Sequence, residues 1–321
     1  MPRQARIDIP GLLQHVIVRG IERSKIFLND YDRENFIARL NPLLEETQTI
    51  CYAWAMLDNH VHLLLMPTKQ PLSCLMSRLL TGYAVSFNLR HNRTGHLFQN
   101  RYKSIVCDGD TYLMELVRYI HLNPVRARVV NDLKTLAEYL WCGHRQMLGL
   151  GDNQLIIVED VLALFSCRIG SARKAYMQFL AEALSNSTPE FSRGGRRASQ
   201  SVDSSLTDKD LYDVRILGGG GFVERILEQV QPVEVSRSLD VIIEIVSSYF
   251  ELSPEELSWP SKERKVASAK AIICYLATRH HRLSGIEVAA ILGYTPSAVS
   301  HATKRGRMLL GKEHDLTRAF E

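Results

Sequence analysis

The segment NHVHLLL sets His60 and His62 one apolar residue apart. On a strand, residues i and i+2 point to the same face, so two neutral imidazoles there could converge on one divalent cation. Two polar residues on a half-exposed strand would leave the same pattern. A second segment, VRYIHLNPVRA, narrows the choice. Tyr119 and Asn123 are four apart and share a helix face. A tyrosine hydroxyl is a competent nucleophile once deprotonated or set against a polarised phosphate, and an amide oxygen beside it could complete a metal site. Each has a plainer reading: Tyr119 as a core aromatic, and Asn123 as the cap of a new helix beginning at Pro124. His121, two residues from Tyr119, lies off that face and is secondary.

These residues need a scaffold, and the chain supplies one. HVIVRG, from His15, predicts a strand, and Asp30 to Gln48 has helical apolar spacing at Phe36, Ile37, Leu40, Leu43 and Leu44. Two apolar runs, Ile50 to Leu57 and Val61 to Met66, flank a tight connection at Asp58 and Asn59. Leu72 to Leu89 predicts a helix, HLFQNRYKSIVCD an extended stretch, and Asp110 to His121 a helix capped by Asp110 or Thr111. The order β-α-β-β-α-β, then a helix, is the split ferredoxin-like arrangement, an α+β fold with an antiparallel sheet. Beyond it, Val158 to Leu184 predicts helix. Ser185 to Asp210, rich in Ser, Arg and Gly, predicts a linker or mobile segment. Gly218 to Gly221 lacks a following Gly-Lys-Ser/Thr, so a flexible turn is expected there rather than a P-loop.

Composition narrows the function classes. A 321-residue chain with 45% hydrophobic content is long enough for two domains and too apolar for a disordered protein. No apolar run is long enough to span a membrane, and MPRQARIDIP has no apolar stretch of the signal-peptide kind. The six Cys are scattered, with no Cys-x-x-Cys, so reduced thiols in a cytoplasmic protein are expected. The net charge of +4 is concentrated in residues 1–130, where 16 Lys and Arg meet 11 Asp and Glu. An anionic partner fits that half.

NHVHLLL, GHLFQNRYKS and RYIHLNPVRA, in that order and spacing, resemble the single-tyrosine HUH transposases, and within them the REP-associated tyrosine transposases. The resemblance covers roughly residues 1–150. It implies a ferredoxin-like HUH nuclease domain acting on single-stranded, hairpin-flanked DNA, with Mg²⁺ or Mn²⁺ held by His60 and His62. Tyr119 would be the nucleophile and Asn123 the polar residue assisting the metal. Leu57-Asp58 stands where relatives often have Met-Pro. Arg101, Lys103, Arg126 and Arg128 are candidates for backbone contacts, with Phe98 or Tyr102 available to stack a base. A homodimer is one expectation, since related insertion-sequence enzymes pair while the REP-associated branch can act alone.

Near the other end, SGIEVAAILGYTPSAVSHATKRGRML reads as helix, Gly293-centred turn, helix, the helix-turn-helix pattern. Ser284 can cap the first helix. The second presents Ser297, Ser300, His301, Lys304 and Arg305, polar groups suited to a major groove. ASAKAIICYL and AVSHATKR resemble the duplex-binding C-terminal domain of the replication initiator DnaA, with Thr295-Pro296 where the initiator has Asp-His. The expected organisation is an HUH domain over 1–150, a helical extension and flexible linker over 151–235, and an all-α DNA-binding domain over 236–315. The expected function is metal-dependent nicking and strand transfer through a 5′-phosphotyrosine, with duplex binding added. The rivals are a non-catalytic DNA-binding regulator, against which intact His60, His62 and Tyr119 count, and a plasmid-type replication nickase.

Overall fold

The computed structural model describes residues 6–151, 155–185, 191–230, 238–259, 261, 263–280, 283–311 and 316. The chain divides into two compact units, Met1–Val230 and Gln231–Glu321.

In the first unit, β1 (Leu13–Arg19), α1 (Asp30–Thr47), β2 (Thr49–Leu57), β3 (His60–Pro67), α2 (Leu72–Arg90), β4 (Lys103–Cys107) and α3 (Gly109–His121) follow the expected order. The strands lie in the order β2-β3-β1-β4, all neighbours antiparallel. β1 is central, and six of its seven residues, LQHVIVR, are buried, as a strand covered on both faces requires. α1 starts where the Asn29 side chain accepts from the Asp32 amide at 3.1 Å. The buried Asp32 carboxylate then takes Arg90 at 3.0 Å and His91 at 2.9 Å from the end of α2, tying the two helices. Asp58 and Asn59 make the two-residue connection between β2 and β3, leaving Leu57 opposite His60 and Ala55 opposite His62.

Four expectations are corrected. Extended structure begins only at Lys103, so Arg101 and Tyr102 precede the strand, and α3 begins at Gly109 with Asp108 as its cap residue. More consequentially, the stretch read as a linker is, from Phe191 on, part of this unit. After α4 (Asn123–Arg126), α5 (Leu133–Glu138), α6 (His144–Met147), α7 (Val158–Ala163) and α8 (Ile169–Ser185), the chain returns through α9 (Arg196–Gln200) to β5 (Ile216–Leu217) and α10 (Gly220–Val230). β5 adds a fifth strand parallel to β4, with Val106 opposite Ile216. Gly194 and Gly195 donate their amides to Val214 O and Ile216 O. A Cβ on Gly194 would sit 2.3 Å from Ile216 O, so glycine there serves close approach and not flexibility. Of the four glycines read as a flexible turn, Gly220 and Gly221 open α10.

The second unit holds α11 (Leu239–Tyr249), α12 (Arg264–Tyr275), α13 (Gly285–Leu292) and α14 (Pro296–Leu310) around its own apolar core. Ser284 and Glu287 form a capping box at α13, as the sequence suggested for Ser284. α13 ends on Gly293 at φ 63°, and Thr295 caps α14 with Pro296 in its first turn. The buried Lys270 ammonium donates to Leu292 O at 3.0 Å and Trp259 O at 2.8 Å, which holds the turn between α13 and α14 in place.

Candidate functional site

Register brings the chemistry together. His60 pairs with Arg19 and His62 with Ile17, so His15, Ile17, Arg19, His60 and His62 share one face of the sheet. Lys103 joins them from β4, opposite Ile17. α3 packs on β2 and β3 and brings Tyr119 to this face. The His60 and His62 rings are 5.0 Å apart between centroids, and Tyr119 stands edge-on to His62 at 5.9 Å and to His15 at 5.8 Å. Tyr119 is 9% exposed, His62 3% and His15 fully buried.

The local hydrogen bonds fix the rings. His60 Nδ1 meets Asn59 Oδ1 at 2.6 Å, and the Asn59 amide is oriented by its Nδ2 donating to Arg23 O. An amide oxygen only accepts, so His60 Nδ1 carries the hydrogen and its Nε2 keeps the lone pair. Burial, reinforced by the Arg19 guanidinium, lowers the His60 pKa to about 4. Burial does the same for His15, to about 4, and pushes His62 well below the usual imidazole range. All three rings are therefore neutral near pH 7, the form that can ligate a cation. Among the described residues, no three His, Cys, Asp or Glu side chains gather into a metal cluster. A cation held by the two imidazoles would need an amide or phosphate oxygen as well.

Asn123 lies in α4, one turn beyond Tyr119, and its Nδ2 donates to Tyr119 O at 3.3 Å. That bond is to the Tyr119 backbone, and α3 gives way to α4 at Leu122, between the two residues. Arg126 stacks over the Tyr119 ring at 5.0 Å. Arg101 and Arg128 are exposed. Lys103 donates to Ser192 O, so its ammonium meets the returning segment rather than open solvent alone. Tyr102 is buried under Arg6, whose guanidinium lies 4.5 Å from its ring, and Phe98 is half-buried with its ring stacked on Tyr83 at 6.3 Å. His121 points away, bonded to the Tyr176 hydroxyl at 2.9 Å, and Tyr112 is buried with its hydroxyl on Ser199 O.

Three residues at the site went unread in the sequence. His15 and Arg19 were visible in HVIVRG, where their alternation with Ile17 puts all three on one face, but only the pairing with β3 shows whose face it is. Phe191 had no local signal. It is 2% exposed, sets its ring edge-on to Tyr119 at 5.4 Å and offers its carbonyl to His15 Nδ1 at 3.0 Å.

In the second unit, Val299, Thr303, Gly306 and Leu310 form the buried stripe of α14, and Ser297, Ser300, His301, Lys304 and Arg305 are exposed. Arg305 is nevertheless turned back to donate to Ala267 O of α12. Arg307 is exposed beside Lys304, with Met308 and Gly311, around a shallow cavity of about 500 Å³.

Residues 9–123 match the family model described as transposase IS200 like, and residues 239–305 the one described as bacterial dnaA protein helix-turn-helix. No curated protein matches the chain. A solved structure of a REP-associated tyrosine transposase bound to a REP hairpin is 18% identical, with a TM-score of 0.39, over 50% of this chain and 93% of that one. By sequence, then, residues 9–123 are similar to the IS200-like transposases and residues 239–305 to the helix-turn-helix of bacterial DnaA.

Proposed function

We propose that the protein is a transposase-type endonuclease and strand transferase that nicks single-stranded, hairpin-flanked DNA through Tyr119, its second unit binding duplex DNA. The observation that carries this is the meeting of His60, His62 and Tyr119 on one face, with the His62 and Tyr119 ring centroids 5.9 Å apart. In the step, the Tyr119 oxygen forms a bond to phosphorus and the bond from phosphorus to the 3′-oxygen breaks. The tyrosine proton ends on the freed 3′-hydroxyl, and the 5′-phosphate stays on the protein. The phosphotyrosine keeps the energy of the phosphodiester, so a second 3′-hydroxyl can reverse the step without ATP.

The donor set fits a divalent cation. Two neutral imidazoles, with the Asn123 amide oxygen and phosphate oxygens, would hold a divalent cation, Mg²⁺ or Mn²⁺ by the family resemblance, which would neutralise and polarise the scissile phosphate. Arg19, Arg126, Arg101 and Arg128 are the cations placed to hold the backbone, and Lys103 would join them where the strand passes Ser192. Ser297, Ser300, His301 and Lys304 are proposed to face a major groove, with Arg307 added and Arg305 serving chiefly to brace α14.

A non-catalytic DNA-binding role is favoured by one observation, the burial of Tyr119 beside Phe191. One experiment separates the two. The protein is incubated with Mn²⁺ and a library of hairpin-flanked single strands, and whatever stays covalently attached is sequenced. A 5′-phosphotyrosyl peptide containing Tyr119, absent from Tyr119→Phe, supports the nuclease. An adduct at another tyrosine, or none while DNA is bound, removes it.

A further inference from the structure

We propose that His15 is a positioning residue that holds His62 as its Nδ1–H tautomer and so leaves the His62 Nε2 lone pair for a ligand. Phe191 sets the direction of the hydrogen bonds. Its carbonyl can only accept, so the hydrogen between it and His15, 3.0 Å away, sits on His15 Nδ1. A neutral imidazole has one N–H, and His15 Nε2 must therefore be an acceptor. The atom facing it, at 2.9 Å, is His62 Nδ1, which has to be the donor. The relay runs from His62 Nδ1–H to His15 Nε2 and from His15 Nδ1–H to Phe191 O.

Ring geometry agrees with a hydrogen bond between the two nitrogens. The two imidazoles are 5.1 Å apart between centroids and 22° from coplanar. With the nitrogens in contact, this is an edge-to-edge arrangement in which the hydrogen lies in both ring planes. It also follows from the sheet. His15 lies opposite Leu64 and Ile17 opposite His62, so His15 is the diagonal neighbour of His62 on the same face, within reach of a long side chain. Without such a partner a histidine favours the other tautomer, with hydrogen on Nε2, which would occupy the ligand position. His60 reaches the same state by a different device, the Asn59 amide. Metal-ligating histidines commonly donate their second nitrogen in this way, and loss of the partner costs about 10–100-fold in affinity.

The ligand role rests on the proposed cation site; the tautomers do not. Two-bond ¹H–¹⁵N spectra of the full chain, metal-free near pH 7.5, should show His15, His60 and His62 as Nδ1–H tautomers. In His15→Phe, which keeps a ring but no acceptor, His62 should move to Nε2–H and Mn²⁺ affinity should fall about 10–100-fold. His15→Gln, whose amide oxygen can stand where Nε2 stood, should keep the His62 tautomer and most of the affinity. Should the Phe variant fail to fold, the wild-type and Gln spectra decide alone. An Nε2–H tautomer at His62 in the wild type overturns the proposal, as does an unchanged tautomer in a folded His15→Phe. Nδ1–H at His62 with no Mn²⁺ broadening of His60 and His62 supports the relay and counts against the cation reading.

Discussion

Acid should unfold the first unit well before its carboxylates titrate. His15, His60 and His144 are held neutral by burial, each with a pKa lowered to about 4. In the unfolded chain each returns to about 6.5. Between these values the unfolded state binds more protons than the folded one, so stability is fully present above pH 6.5 and drains away as pH falls toward 4. From pH 8 to pH 5.5 each histidine costs about 1.4 kcal/mol, and the three together about 4 kcal/mol. That is a large part of the 5–15 kcal/mol typical of a domain. His62 and His121, shifted in the same direction, add to the loss. Asp32 is lowered by its His91 and Arg90 partners against its own burial, so it acts only below the usual carboxylate range, outside this window. Urea unfolding without divalent cations, followed by tryptophan fluorescence in a Trp259→Phe background so that only Trp54 and Trp141 of the first unit report, reads the effect. His144 is the control, because it bonds the Tyr176 hydroxyl at 2.7 Å and takes no part in the His15–His62 and His60–Asn59 hydrogen bonds. In His144→Gln the difference between pH 8 and pH 5.5 should shrink by about 1.4 kcal/mol, whatever the variant's stability at pH 8. A wild type equally stable at both pH values would show that these rings are not held neutral.

Asn123→Ala should slow nicking with Mn²⁺ by about tenfold rather than abolish it, and change the urea midpoint little, since its 3.3 Å bond to Tyr119 O is half-exposed and worth about 1 kcal/mol at most. Lys304→Glu with Arg307→Glu should remove duplex binding in a filter or gel assay at low salt and leave adduct formation on single strands unchanged. Arg305→Glu is the poorer probe, because it also breaks the bond to Ala267 O. Gly306→Ala should destabilise the second unit by about 1–3 kcal/mol, since the added Cβ would meet Ala271 O at 1.9 Å where α12 and α14 cross; calorimetry of the second transition checks it.

The fold of the first four strands was legible because its signals are local. Alternation in HVIVRG, helical spacing over Asp30 to Thr47 and the short polar break at Asp58-Asn59 each act within a few residues, and the tertiary structure agrees with them. The C-terminal motif was legible for the same reason, through the Ser284 cap and the left-handed Gly293. The segment from Phe191 to Leu217 was not. Of its apolar residues, Phe191, Ala198, Ile216 and Leu217 are buried while Leu211 and Val214 are exposed, and their irregular spacing shows no period. Its glycines look like a linker because composition does not distinguish a glycine chosen for freedom from one chosen for contact.

The site divides along the same line. His60, His62 and Tyr119 announce themselves as short motifs, because two strand positions or one helical turn settle which way they face. What holds them does not. His15 is 47 residues from His62, and Phe191 is 176 from His15 and 72 from Tyr119. Such supporting contacts depend on strand order and on where a distant segment returns, so a pattern a few residues long cannot contain them. The physical consequence is that the His62–His15–Tyr119 cluster is held in part by a stretch of chain outside the segment that matches the transposase family. Phe191 lies beyond residue 123, yet its carbonyl sets the direction of the whole His15–His62 relay. A fragment cut at the end of the family match would keep His60, His62 and Tyr119 but lose the acceptor for His15 Nδ1 and the ring against Tyr119. His15, and through it His62, would then be free to take the other tautomer while His60 kept its Asn59 partner, so the motif alone is insufficient for the site.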